Sequence, residues 1–173
     1  MIDKLSVSAL SSLLTKKEIS SVELTKYCLD IIASKNAEIG AFINIDEEGA
    51  LMSARRADKK RAYGDSTSKL SGIPFAVKDN LCVRGMRTAC GSKMLQNYVS
   101  PYTATAVARL LDSGAVLIGK TNMDEFGMGN ATNTSAFGIT RREPWDPRES
   151  EAEDQEGQQA NPPRELPLGP QVP

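Results

Sequence analysis

Lys78 closes an apolar run, Ile73-Pro74-Phe75-Ala76-Val77, and is followed at once by Asp79 and Asn80. A lysine at the mouth of an apolar strand is partly desolvated, and burial disfavours the charged form of an amine. A neutral amine can take the proton of a serine hydroxyl and so act as a general base. The plain alternative is a solvated charge at a strand end, with its stem lying along apolar surface. Asp79 and Asn80 read either as turn residues or as the groups that hold Lys78 in place. The chain contains no histidine, which excludes Ser-His-Asp and Cys-His catalysis and every His-ligated metal site within it. A nucleophile here needs another base, and lysine is the main alternative.

A second lysine sits in a segment that invites a different reading. Gly114-Ala115-Val116-Leu117-Ile118-Gly119-Lys120-Thr121 matches the P-loop expression G-x-x-x-x-G-K-[ST]. A P-loop follows a strand and wraps phosphate with free backbone N–H groups. In this chain the four middle residues themselves read as the strand, so their N–H groups belong to the sheet ladder, and nucleotide binding is declined. Cys28, Cys82 and Cys90 are too few and too scattered for a disulfide framework or a Cys-x-x-Cys metal site, and read as reduced, partly buried thiols.

The elements that must carry these residues are legible from pattern. Ser20 and Glu23 have the spacing of a capping box, so a helix is expected from there to about Lys35, with Leu24, Cys28 and Ile31 on its inner face and Tyr27 and Ile32 beside them. A short helix over Val7–Leu14 precedes it. Ala41–Ile45 reads as a short strand and Glu47–Tyr63 as a charged surface helix, apolar at Leu51 and Ala54. Gly64–Ser71 is a polar loop. Ile73–Val77 reads as a buried strand whose C-terminal end carries polar groups, which is where ligands bind in open α/β sheets. Thr103–Asp112 is a helix with Ala104, Val107, Leu110 and Leu111 inward. Ser113-Gly114 stops it, and Ala115–Ile118 is a second buried strand. Helix, glycine turn and strand make an αβ unit, so the fold class is α/β with a parallel or mixed sheet.

Composition bounds the rest. The 173 residues are enough for one domain, and 40% hydrophobic with 25% charged content is that of a globular chain. A net charge of −1 gives no electrostatic footprint for nucleic acid or anionic membrane. RNA chemistry within a complex stays open, with the phosphates held by another chain. Met1–Leu14 lacks the pattern of a signal peptide, and no apolar stretch approaches the roughly 18 residues of a membrane span, so a cytoplasmic location without membrane contact is expected.

Two further segments join Lys78. Thr121-Asn122-Met123-Asp124-Glu125-Phe126-Gly127-Met128-Gly129 follows the second strand, rich in glycine and polar groups, and Thr132-Asn133-Thr134-Ser135-Ala136-Phe137-Gly138 follows that. With Ser71–Asn80, Gly114–Phe126, Pro144-Trp145-Asp146 and the N-terminal Glu18–Leu24, these blocks resemble the amidase signature family over nearly all of Met1–Pro147. The Asn122–Phe126 segment resembles its tRNA-linked, glutamine-dependent amidotransferase branch more than the general amidases. The resemblance implies the N-terminal part of the amidase signature fold, a mixed β-sheet covered by helices, with residues 1–147 as an incomplete portion of the domain. It implies a lysine, a serine with a cis peptide bond and a nucleophilic serine as catalytic groups, and Lys78 is the position that matches the lysine. In that branch glutamine is hydrolysed to supply ammonia. A partner subunit uses the ammonia with ATP and Mg on Glu-tRNA(Gln), and subunits B and C are the implied partners. The alternatives are another hydrolase of the family acting on a small amide, and a non-enzymatic interaction module.

Residues 148–173 break the pattern. The tail Arg148–Pro173 has no aromatic residue and few aliphatic ones, and is expected to be disordered. The two serines of the resemblance belong in a Gly/Ser-rich stretch and the segment after it, soon after Trp145-Asp146, and this chain does not have them. Read one nucleotide out of frame, the possible codons of Arg148 through Ala160 can encode Arg-Val-x-Gly-Gly-x-Ser-Gly-Gly-Ser-Ala, close to that stretch. The proline of the pattern and one expected serine are not recovered. The Thr140–Pro144 segment also carries one residue more than the pattern. The tail therefore reads as an out-of-frame product, and the chain as an inactive one that retains the base without its nucleophile. The substrate and oxyanion-hole residues are expected in the missing part, and no metal site is expected in this chain.

Overall fold

The computed structural model describes residues 5–65 and 68–141. The chain divides into two units, Met1–Arg141 and Arg142–Pro173. Every described residue belongs to the first. The boundary expected at Pro147 and the tail over residues 148–173 lie outside the described residues.

Among the described residues, four α-helices and three strands make up the fold: α1 Val7–Thr15, α2 Ser21–Ile39, β1 Phe42–Ile45, α3 Glu47–Ala62, β2 Pro74–Lys78, α4 Thr105–Asp112 and β3 Val116–Thr121. The capping box opens α2. The Ser20 hydroxyl accepts from the Glu23 N–H at 3.1 Å, and the Glu23 carboxylate accepts from the Ser20 N–H at 2.8 Å. The helix runs four residues past the expected stop at Lys35 because nothing in Asn36–Glu38 breaks it. It ends where Gly40 takes the left-handed conformation, φ 68°, and donates to the Asn36 carbonyl. Its buried face is Ser21, Leu24, Thr25, Leu29 and Ile32, one step round from the expected one. Cys28 and Ile31 are only partly buried.

Asn36 then fixes the entry to β1. Its side-chain amide donates to the Phe42 carbonyl at 2.9 Å and accepts from the Phe42 N–H at 2.7 Å. Asp46 caps α3, with acidic Glu47 and Glu48 in the first turn and basic Lys59, Lys60 and Arg61 in the last, each complementing the helix dipole. The expectation of a surface helix needs correction. Ala50, Ala54 and Ala57 are buried in a row, while Leu51 is only partly so. The small side chains let α3 lie close on the sheet, where Ala50 and Ala54 pack with Val116. From α3, Asp58 accepts the N–H groups of Ser21 and Val22, and Arg61 pairs with Asp58 and donates to the Ser71 carbonyl.

The sheet order is β1-β3-β2, with β2 parallel and β1 antiparallel to β3, so the sheet is mixed. β3 is the central strand and is buried from Val116 to Lys120. Leu117 joins Val77, Val83 and Val107 on the α4 side. Ile118 packs with Leu29 and Ile32 of α2. Buried on both faces, β3 reads as a continuous apolar run, as strands between helical layers do. β2, expected as a buried strand, is an edge strand among the described residues. Phe75 is half-buried and Ala76 and Lys78 are exposed. Gly119 is required by the close pairing with β1, since a Cβ there would overlap the Asn44 carbonyl oxygen.

Candidate active site

Lys78 is the last residue of β2 and its side chain is exposed. Among the described residues its amine has no hydrogen-bond or ion-pair partner. Its backbone is held nonetheless. The Lys78 carbonyl accepts from the Leu81 N–H at 2.9 Å, and the next residue, Asp79, donates its N–H to the Thr121 carbonyl at 3.0 Å. The strand end is therefore a tight turn anchored on β3, with the lysine side chain projecting outward.

The side chain of Asp79 turns the other way, into the protein, and is 1% exposed. It meets Lys120, which is fully buried in the central strand. Lys120 Nζ lies 3.2 Å from Asp79 Oδ1 and 3.1 Å from Thr88 Oγ1, with the Asp79 and Arg87 carbonyl oxygens each at 3.4 Å. The second carboxylate oxygen, Oδ2, accepts from the Ala89 N–H at 2.9 Å and the Gly91 N–H at 3.4 Å. A buried lysine needs such compensation, because an isolated charge in the interior costs several kcal/mol. Removing one member of a pair like this costs about 3–5 kcal/mol.

The Gly-Lys-Thr run that matches the P-loop expression is thus wholly absorbed by the fold. Gly119 admits β1, Lys120 pairs with Asp79, and the Thr121 carbonyl anchors the Asp79 backbone. The N–H of Val116 donates to the Ile73 carbonyl, and Val116–Thr121 are paired on the sheet.

The segment after β3 interlocks with the one after β2. Asn122 donates its side-chain amide to the Gly40 and Gly138 carbonyls and accepts from the Ser135 hydroxyl at 2.6 Å. Asp124 gathers the next loop: it accepts the N–H groups of Ala131, Thr132 and Thr134 and the Thr134 hydroxyl, all within 3.0 Å. The Thr134 N–H is the main cause that holds the Asp124 carboxyl below its ordinary value. The Phe126 N–H donates to the Cys90 carbonyl and the Ala136 N–H to the Gly91 carbonyl, so the two loops share backbone bonds. Ser92 closes the contact with a 2.5 Å hydrogen bond to Glu125.

Three free thiols lie in this fold. A hydrogen bond with Tyr102 draws the Cys82 thiol below its ordinary value, with smaller contributions from Ser100, Lys120 and Thr88. Burial pushes Cys90 up, the nearby Asp79 carboxylate adding to it, and burial alone raises Cys28. A cleft of about 430 Å³ opens between β1 and the 79–99 segment, with Asp46, Asp79 and Arg87 among its lining residues. Among the described residues no group of three His, Cys, Asp or Glu side chains is placed to hold a metal ion. No helix among them is long and apolar enough to cross a membrane.

The structure therefore places Lys78 at a strand end, as its apolar run implies, but exposed rather than partly desolvated, and brings Asp79 to Lys120, the lysine of the P-loop-like run. One signal in the sequence shows that Lys120 needs a partner, though not which one. A lysine within a fully apolar strand must meet a carboxylate, and the fold supplies one in Asp79. The loop-gathering roles of Asn122 and Asp124 are not legible in the sequence, because side-chain bonds that span 7 to 82 residues leave no periodicity.

Among the described residues, a lysine with an exposed amine, a buried acid beside it and two interlocked polar loops lie together at the carboxyl ends of parallel strands. The family model described as Amidase matches residues 23–151. The A subunit of glutamyl-tRNA(Gln) amidotransferase from Azoarcus sp. is 52% identical over 141 residues, covering 82% of this chain and 28% of that protein. The proteins of the same name from Trichodesmium erythraeum and Desulforapulum autotrophicum are 45% and 50% identical, over 82% of this chain and 29% of theirs. Among solved structures, native peptide amidase from Stenotrophomonas maltophilia superposes with a TM-score of 0.74 at 33% identity, over 83% of this chain and 30% of that one. A structure from a vestigial protein complex linked to the origins of an s-triazine catabolic enzyme gives 0.77 at 31% identity, over 82% of this chain and 31% of its own. The chain belongs to the amidase signature family. It spans 28–29% of the length of these curated relatives.

Proposed function

We propose that this chain is the lysine-bearing N-terminal portion of the glutamine-hydrolysing A subunit of a glutamyl-tRNA(Gln) amidotransferase, with Lys78 as the general base. One observation carries the assignment of the base. Of the two lysines at the carboxyl end of the sheet, Lys120 is buried against Asp79 and Thr88, whereas Lys78 has an amine unengaged among the described residues at the end of the neighbouring strand. A base must reach a reacting proton, and only Lys78 is free to do so. The relatives' names support the tRNA-linked role.

In the reaction, Lys78 accepts a proton from the bridging serine, which takes the proton of the nucleophilic serine. The nucleophile attacks the carbonyl carbon of the glutamine side chain. The C–N bond breaks as the proton held by Lys78 returns through the bridging serine to the amide nitrogen, which leaves as ammonia, and water then releases glutamate from the acyl-enzyme. The ammonia passes to a partner that uses ATP and Mg on Glu-tRNA(Gln), with subunits B and C as the assembly and the cytoplasm as its place of action. No residue of this chain is assigned to ATP or Mg. Both serines lie outside the residues that match the family's pattern here, so the chain holds the base alone.

The test is glutamine hydrolysis by the 173-residue chain and by a protein with the shifted reading frame restored after Pro147. The chain releases no ammonia and the restored protein does. Lys78→Ala lowers the restored rate by about 10²–10⁴-fold, the usual worth of a positioned base. Lys78→Arg does nearly the same, since arginine keeps its proton. A restored protein that tolerates Lys78→Ala, or glutaminase activity in the short chain that does not depend on Lys78, refutes the assignment. Hydrolysis of small amides but not of glutamine would instead mark a hydrolase of the family without the tRNA-linked role.

A further inference from the structure

We infer that Lys120 is a positioning residue for Lys78: its buried ammonium, through Asp79 and Thr88, locks the end of β2 to β3 and to the 87–91 loop. The inference rests on reading Lys78 as the base, and it assigns a task to a lysine that the proposed chemistry does not use.

Lys78 and Asp79 are adjacent in the chain, and their side chains part to opposite environments, one exposed and one 1% exposed. Whatever fixes Asp79 fixes the backbone from which Lys78 projects. Asp79 is fixed on every side. Its N–H donates to Thr121 on β3, its Oδ1 meets Lys120, and its Oδ2 accepts from Ala89 and Gly91. Lys120 adds a second tie to the same loop through Thr88 Oγ1 and the Arg87 carbonyl. One ammonium thus joins three pieces of chain: the end of an edge strand, the central strand, and a loop without regular structure.

The charge is needed, and the length of a lysine as well. A neutral side chain on β3 would leave the Asp79 carboxylate buried without its counter-charge, and a shorter one would not reach Thr88. Charge-assisted hydrogen bonds are the strong ones, and they impose direction where apolar packing does not. Surface lysines with a solvated head could do neither. The geometry also explains why the two lysines cannot exchange tasks. Lys120 has four oxygens within 3.4 Å and no exposure to solvent, whereas Lys78 has the reverse.

The experiment uses the full 173-residue chain. Amine labelling with an acylating reagent is read by mass spectrometry at each lysine, together with deuterium exchange of the peptides covering residues 74–92 and, as a reference, α2. In the wild-type chain Lys78 is labelled at the rate of a solvent amine and Lys120 is protected. Asp79→Asn and Lys120→Met raise exchange over 74–92 by about a hundredfold or more, the scale of one broken buried ion pair, while α2 keeps its rate. Thr88→Val removes one partner of the ammonium without touching the ion pair, and raises exchange in the same window by a smaller factor. Thr88→Ser returns the hydroxyl and restores the wild-type rate, a rescue that general loosening would not give.

Three results overturn the inference: wild-type Lys120 labelled as fast as Lys78, exchange that rises equally in α2 and in 74–92, or Thr88→Ser behaving as Thr88→Val. If Lys120→Met does not fold, the Thr88 pair decides alone. None of these readings depends on hydrolysis. A clamp that is present while Lys78→Ala leaves the restored rate intact would separate failure of the base assignment from failure of the clamp.

Discussion

At the scale of single residues, this protein shows how one side-chain type takes opposite tasks by position. Lys78 and Lys120 both sit toward the carboxyl ends of parallel neighbours, yet one is free and the other is enclosed. The same holds for the acids. Asp79 is a buried counter-charge, whereas Asp124 organises a loop by accepting three backbone N–H groups and one hydroxyl. The Asp124 case has a consequence for pH. Its folded-state value is lowered below the ordinary 3.8. The stabilisation is therefore present above that ordinary value and is lost as pH falls through the lower folded one. Protection from amide exchange, taken relative to the intrinsic rate at each pH, is expected to fall at Ala131, Thr132 and Thr134 over that acid window, with the protection of the β3 amides unchanged. Asp124→Asn should show low protection at all pH values and no acid transition, because an amide oxygen accepts fewer of these bonds and its nitrogen accepts none. A loop whose protection ignores both pH and the substitution would show that Asp124 does not organise it.

At the scale of elements, sequence signals hold where their physics is local. The Ser20–Glu23 capping box opens α2, and Gly114 separates α4 from β3. Ser20→Ala is expected to destabilise the chain by about 1 kcal/mol, since it leaves the Glu23 N–H without its cap. A denaturant midpoint unchanged within error would contradict this. What local pattern did not give was the inner face of α2 and the depth of α3. Both depend on what the helices pack against. Asp58 of α3 caps the first turn of α2, and two alanines bring α3 down onto Val116. Counting apolar residues undervalues a stripe of alanine, whose contribution is close approach and not buried area.

At the scale of the whole molecule, the described residues carry apolar surface that a closed domain would cover. Met94, Met128 and Ile139 are 83%, 81% and 58% exposed, and Phe126 and Tyr102 are about half exposed. Among the described residues, β1 and β2 each present an outer strand edge. Edges and apolar patches of this kind favour self-association. The purified 173-residue chain is expected to bind an apolar-surface dye and to associate as its concentration rises. A monomer with no dye binding and a reversible, cooperative melt would contradict this.

The amino-acid sequence by itself determined the class and the local punctuation. The blocks around Lys78, Asn122–Phe126 and Ser135–Gly138 marked the family, and the run Val116–Ile118 marked a strand where a phosphate loop could have been claimed. Those features are contiguous, so the information lies within a few residues. Only the tertiary structure decided that Lys120 meets Asp79 across 41 residues of chain, that Thr88 completes the cage, and that Lys78 is left exposed. Sequence spacing fixes which side of a strand a residue occupies. It does not fix which other strand lies beside it, and a buried charge is explained only by the partner that the packing delivers.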